Sequence, residues 1–183
     1  LPTITLSAYI FGADSSNTSY NYSKIISIPD LSFTTKVYTG LDILEQMDFR
    51  LLKDKSVAIL TNQTALNRNG VHILDLLKSY KKVEVSFLLA MEHGLWGLDD
   101  KRATLLGREQ VDPLHKAPII DLFETHVYPP SWVMDKIDLI IIDFQETGSR
   151  YPTFFATMSK VFEAASNHKV PILLLDRPNP IRG

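Results

Sequence analysis

The sequence predicts an α/β protein, a three-layer domain with a mainly parallel sheet. Three observations carry that prediction. Apolar runs of strand length recur at residues 56–60, 83–89, 137–143 and 170–175. Stretches with helical spacing fall between several of them. Each run stops abruptly at polar residues or glycine. Repeated strand–helix–strand units imply parallel pairing through right-handed crossovers. Strands that are apolar along nearly their whole length fit a sheet covered on both faces.

The elements follow in order. Residues 1–35 read as a leader or extended arm, with 36–183 as the domain. Residues 1–14 are apolar with small residues, as in the tail of a signal peptide, but lack its basic start. Residues 15–35 are rich in Ser, Asn, Thr and Tyr without a period. In 40–52, Leu41, Leu44, Met47 and Leu51 have helical spacing. The strand at 56–60 ends at Thr61-Asn62-Gln63-Thr64. Asn67 and Asn69 are placed to cap a helix with Val71, Leu74 and Leu77 on one face. Residues 98–116 are polar and read as a long loop. Residues 117–123 suit a short edge strand, because Pro118 fits an edge better than a centre. A helical turn is expected at 131–135. The run 137–143 is the strongest strand. Phe154, Met158, Val161, Phe162 and Ala165 line one face of a helix over 152–167. After 170–175 two prolines around Asn179 fix a turn. The chain stops shortly after this loop, as at a cut between domains.

Composition narrows the function. The 183 residues suffice for one domain with a full core. The net charge of −2 gives no bulk-charge case for nucleic acid or a membrane surface as partner. No apolar run reaches the ~18 residues needed to span a bilayer. The absence of cysteine removes disulfides, thiolate nucleophiles and Cys-type zinc sites. Glycine-rich phosphate or dinucleotide loops, nucleophile elbows and metal-ligand spacings are missing, so neither a cofactor nor a metal is expected.

A parallel sheet opens all its C-terminal strand ends on one edge, where α/β proteins bind ligands. Asn62, Glu92-His93, Asp143 with Gln145-Glu146, and Asp176-Arg177 are therefore expected along a common rim. Glu92 has Met91, Leu95 and Trp96 around it, and apolar surroundings favour the neutral carboxyl a general acid needs. The competing reading is a loop carboxylate beside a structural His93. Otherwise His93 would orient Glu92 or act as a second acid or base. Arg150 follows Gly148 and suits a carboxylate clamp, or else pairs with Glu146 or Asp176. Asp143 reads as buried, capping a helix or accepting from loop backbone. A metal site built from Glu92, His93 and Asp143 is possible on residue type, though the spacing does not demand one. Asp176 and Arg177 read as an internal ion pair, with Asn179 held by two prolines for ligand contact or the prolines serving structure alone. Asn62 reads either as a ligand contact or as an Asx turn.

These strand ends resemble the NamZ-type exo-β-N-acetylmuramidases, a bacterial family long catalogued as a domain of unknown function. The family pattern of Thr-Asn-x-Thr, Pro-Glu-His-Gly-x-x-Gly, Asp-x-Gln-Asp-x-Gly-x-Arg-x-Tyr-Thr and Leu-Asp-Arg-Pro-Asn-Pro-x-x-Gly meets Thr61 to Thr64, Met91 to Gly97, Asp143 to Thr153 and Leu175 to Gly183 in order. The resemblance implies a Rossmann-like N-terminal domain, a C-terminal domain beyond this chain, and a cleft between them. It implies release of terminal N-acetylmuramic acid from peptidoglycan fragments, with a periplasmic, secreted or cytoplasmic location. Glu92 becomes the expected catalytic acid with His93 beside it; because glycosidases commonly use two carboxylates, Glu146 is the expected partner. Asn62, Gln145 and Arg150 become the expected contacts to the sugar or its lactyl carboxylate, and Tyr151, Asp176, Arg177 and Asn179 are further candidates for substrate binding on the same rim. Two departures stand out. Met91 replaces the family proline. Pro152 occupies the family tyrosine position, with Tyr151 one place early. Half a cleft implies weak activity or none, and the alternative is a catalytically silent sugar-binding or scaffold domain.

Overall fold

The computed structural model describes residues 9–11, 37–97, 110–112, 114–149 and 151–181. The expectations for most of the leader, for most of the 98–116 loop and for Arg150 lie outside the described residues. Seven strands are seen: β1 (Tyr9–Phe11), β2 (Lys55–Thr61), β3 (Val83–Ala90), β4 (Gln110–Val111), β5 (Pro118–Asp121), β6 (Leu139–Asp143) and β7 (Ile172–Leu174). The helices are α1 (Gly40–Gln46), α2 (Ile73–Ser79), α3 (Ser131–Met134) and α4 (Phe154–His168), with a 3-10 turn at Arg50–Leu52. The sheet order is β1-β7-β6-β2-β3-β5-β4. The five inner strands are parallel, and β1 and β4 close the two sides antiparallel. This is the three-layer, Rossmann-like α/β fold.

Side-chain alternation along the strands divides the core in two. Val57 and Ile59 of β2 pack with Leu41 and Leu44 of α1 and with Ile73, Leu74 and Leu77 of α2. Ala58 and Leu60 face the other way, with Val133 and Met134 of α3 and Val161 and Ala165 of α4. All five residues of β6 are buried. A fully buried aliphatic side chain of this kind contributes about 1.5–3 kcal/mol. Truncating Ile140, at 0% exposure, to alanine would cost about 2–5 kcal/mol through the cavity it leaves.

Four expectations are corrected. The helix over 40–52 breaks after Gln46, because Asp48 and Phe49 take left-handed backbone (φ 50° and 49°). That turn buries Phe49 and sets its ring 5.5 Å from Tyr80. Asn67 and Asn69 do not cap α2. His72 does, its ring accepting from Leu74 N at 3.3 Å, while Asn67 Oδ1 accepts from Asn69 N and Val71 N. Val71 is exposed and leaves the apolar face to Ile73, Leu74 and Leu77. The strand at Pro118 is not the edge, because Gln110–Val111 adds outside it with Val111 opposite Pro118.

Candidate active site

The strand order identifies a switch point. From β2 the chain moves through β3 to β5, then returns to the other flank of β2 with β6 and β7. The loops after β2 and β6 therefore diverge from neighbouring strand ends. In open α/β sheets that divergence leaves the ligand crevice. Thr61 pairs with Asp143 at that point, so Asn62 and Gln145 stand on its two lips.

Hydrogen bonds tie those lips together. Thr64 Oγ1 donates to Asn62 Oδ1 at 2.6 Å and accepts from Gln145 N at 2.8 Å. Thr64 N also donates to Asn62 Oδ1, at 3.0 Å. Asn62 thus makes an Asx turn, its carbonyl oxygen spent on the loop. Gln145 Nε2 donates to Pro178 O at 3.0 Å and fastens the β6 loop to the β7 loop. Asn179 Oδ1 accepts from Ile181 N at 2.9 Å. Gly148 has φ +78°, and a Cβ there would lie 2.6 Å from Asn179 Oδ1. Any other residue would be strained at that φ and would have to push the Asn179 amide aside.

Glu92 lies in a tight turn after β3. Gly94 N donates to Met91 O at 2.9 Å, with His93 at φ +69°, as a type II turn requires at its third residue. Histidine adopts this conformation at a cost of about 1–3 kcal/mol, which the surroundings must overcome. Met91 and Leu95 are buried on either side and anchor the turn. Glu92 is half-buried and His93 exposed. Thr153 Oγ1 donates to Glu92 Oε2 at 2.5 Å. Glu146 Oε2 accepts from Thr147 N at 3.1 Å, whereas its Oε1 is buried without a partner among the described residues.

The expected Asp176–Arg177 pair is corrected. Arg177 reaches Asp143 instead, with Nε to Oδ1 at 2.6 Å and Nη2 to Oδ2 at 3.1 Å. Its Nη1 donates to Leu66 O at 3.0 Å. Among the described residues no helix or loop N–H donates to Asp143, whose partner is Arg177. Burial pushes its carboxyl above the ordinary 3.8, against the pull of Arg177. With Asp143 held this way, the Glu92, His93 and Asp143 trio is not assembled. Among the described residues no cluster of three His, Asp or Glu is placed to hold a metal. Asp176 is shifted upward too, chiefly by burial, with the Arg177 backbone pulling it down. Tyr151 is 97% exposed.

Thr64 and Thr153 escaped the sequence reading. Thr153 does sit just before an apolar helical face, where threonine usually caps. His72 escaped as well, because its role depends on Trp96, whose ring centroid is 5.2 Å away.

The profile described as exo-beta-N-acetylmuramidase NamZ, N-terminal, matches residues 57–183. The chain belongs to this family. The match runs from β2 through the last rim loop and so includes the whole switch point. The NamZ relative from Bacillus subtilis (strain 168), a peptidoglycan beta-N-acetylmuramidase, is 30% identical over 148 residues. The alignment covers 81% of this chain and 35% of that protein. Two solved DUF1343 family proteins from Bacteroides fragilis NCTC 9343 share the fold. One has a TM-score of 0.69 at 30% identity, covering 79% of this chain and 35% of the other. The second has a TM-score of 0.64 at 29% identity, covering 80% and 36%. The chain thus spans about a third of the length of these relatives.

Proposed function

We propose that this chain forms the Glu92-bearing wall of a glycoside hydrolase site that releases terminal N-acetylmuramic acid from peptidoglycan fragments. The observation that carries the proposal is the Glu92 carboxyl, held at 2.5 Å by Thr153 on the rim of a NamZ-type domain. A glycosidase needs a carboxyl to protonate the leaving oxygen and usually a second one, roughly 5–10 Å away, to work on the anomeric side. Glu92 takes the first part. Fixing one oxygen through Thr153 leaves the other free to aim its proton. Glu146 takes the second, since its Oε1 is already out of water and unengaged. His93 stands next to Glu92 as the assisting acid or base.

Arg150 and Tyr151 supply contacts to the sugar or its lactyl carboxylate in this proposal. Asn62, Gln145, Asp176, Arg177 and Asn179 shape the crevice behind them. The opposite wall comes from the part of the NamZ relatives that this chain does not span. The test uses the longest form of the protein and a chromogenic N-acetylmuramide. Release of the chromophore, abolished in Glu92→Gln with folding intact, is the expected result. A Glu92→Gln variant as active as the parent removes Glu92 as the acid.

One observation favours a second function, sugar binding without turnover. Pro152 stands at the family tyrosine position, and Tyr151 projects into solvent. Binding of N-acetylmuramic acid by a full-length protein that releases no chromophore would establish it.

A further inference from the structure

Trp96 is 48% exposed, yet its ring has a partner. Its ring rests on the His72 imidazole at 5.2 Å with a 48° tilt. That imidazole is buried and fixed at both nitrogens. Nδ1 accepts from Leu74 N at 3.3 Å, so the proton is on Nε2, which donates to Asn62 O at 2.9 Å. The backbone on either side of the indole is fixed as well. Leu95 is buried in the core. Gly97 has φ +67°, and a Cβ there would collide with the Gln63 amide. An exposed aromatic is ordinary when it is mobile and isolated. This one has a fixed imidazole against its ring and a constrained backbone on either side, four residues after Glu92 on the same rim loop.

We propose that Trp96 is a stacking platform for a pyranose ring and that His72 positions it. Resting on the hydrolase reading above, the proposal names how the sugar is recognised. An indole presents a broad, electron-rich face to the C–H groups of a pyranose while the sugar hydroxyls stay available to polar partners. The platform arrives already ordered, so binding spends little entropy on it. The second tryptophan cannot substitute. Trp132 packs on Phe87 at 5.6 Å and borders a groove with Ser56 and Val83, at the amino-terminal ends of β2 and β3.

The chain contains two tryptophans, so Trp132→Phe leaves Trp96 as the sole indole reporter. Its emission is followed during titration with N-acetylmuramic acid, other N-acetylated pyranosides and glycerol as a ring-free polyol. A saturable change with the pyranoside and none with glycerol is expected. By calorimetry on the parent background, Trp96→Ala should weaken binding about tenfold and Trp96→Phe by no more than about threefold. His72→Asn in the Trp132→Phe background should lower the emission anisotropy of Trp96 and weaken the same sugar. Unaltered anisotropy would remove His72 from the positioning role. A Trp96→Ala variant that melts like the parent and binds sugar as tightly overturns the platform. So does an emission that no pyranoside alters, whatever the turnover assay gives. Trp96-dependent binding of other pyranosides, with none of N-acetylmuramic acid, keeps the platform and removes the muramidase reading.

Discussion

Thr153 Oγ1 donates to Glu92 Oε2 at 2.5 Å, and in doing so Thr153 gives no side-chain cap to α4, the helix it precedes. A threonine at that position normally contributes about 1 kcal/mol by capping. Here the hydroxyl serves the rim instead of the helix. Thr153→Val should therefore cost little in stability, because no cap is lost. It should lower kcat by about tenfold, since the hydroxyl that orients the Glu92 carboxyl is gone. Steady-state rates on a chromogenic N-acetylmuramide and a thermal melt check both halves. A variant with unchanged kcat would detach Thr153 from the chemistry.

The Arg177–Asp143 pair predicts the opposite balance. Its side chains are 7% and 0% exposed. Arg177→Met leaves a buried carboxyl without its partner and should cost about 3–5 kcal/mol near neutral pH. The loss should shrink on acidification, because a neutral Asp143 needs no cation. Denaturant melts at several pH values measure this. A variant equally destabilised at every pH would place the loss in packing.

Asp143 and Asp176 both have folded values above the ordinary 3.8. Above that value the folded chain holds protons that the unfolded chain has released. The stability these groups contribute is complete below the unfolded value and is lost as pH rises through the raised folded value. Asp176→Asn should therefore flatten the fall of melting temperature with rising pH across the mildly acidic range. Identical slopes for variant and parent would refute the assignment.

Gly148→Ala puts a methyl group 2.6 Å from Asn179 Oδ1 at φ +78°. It should destabilise the chain by about 1–3 kcal/mol. Part of that loss is steric, so adding Asn179→Ala to Gly148→Ala should recover some of it. Failure of the double variant to recover any would make the backbone conformation the whole cause.

His93 at φ +69° carries a strain that glycine would not. His93→Gly should melt at or above the temperature of the parent while losing the turnover proposed above. Parent-like turnover would mean that the imidazole is not needed.

The strands and the rim were legible because they depend on local pattern. Runs such as 137–143 are too apolar and too short to be anything but buried strands. The partners of the rim residues were not legible, because pairing depends on strand order. Arg177 follows Asp176 directly, yet β7 lies beside β6, which brings Asp143 within reach across 34 positions. Thr153 looks like a cap, and nothing local says that a turn 61 residues earlier claims its hydroxyl. The break in the first helix depends on a tertiary contact, Phe49 on Tyr80.

The laced rim has a kinetic consequence. Its bridges join residues 61, 81 and 111 positions apart, at Glu92–Thr153, Thr64–Gln145 and Leu66–Arg177. Closing such long loops is slow and entropically costly, and the bridges gain nothing until the strands beneath them have docked. A chain emerging from the ribosome has its Glu92 turn long before Thr153, and both before Arg177. The crevice is thus among the last features to assemble, and the Glu92–Thr153 rim is not complete until β7 has docked beside β6.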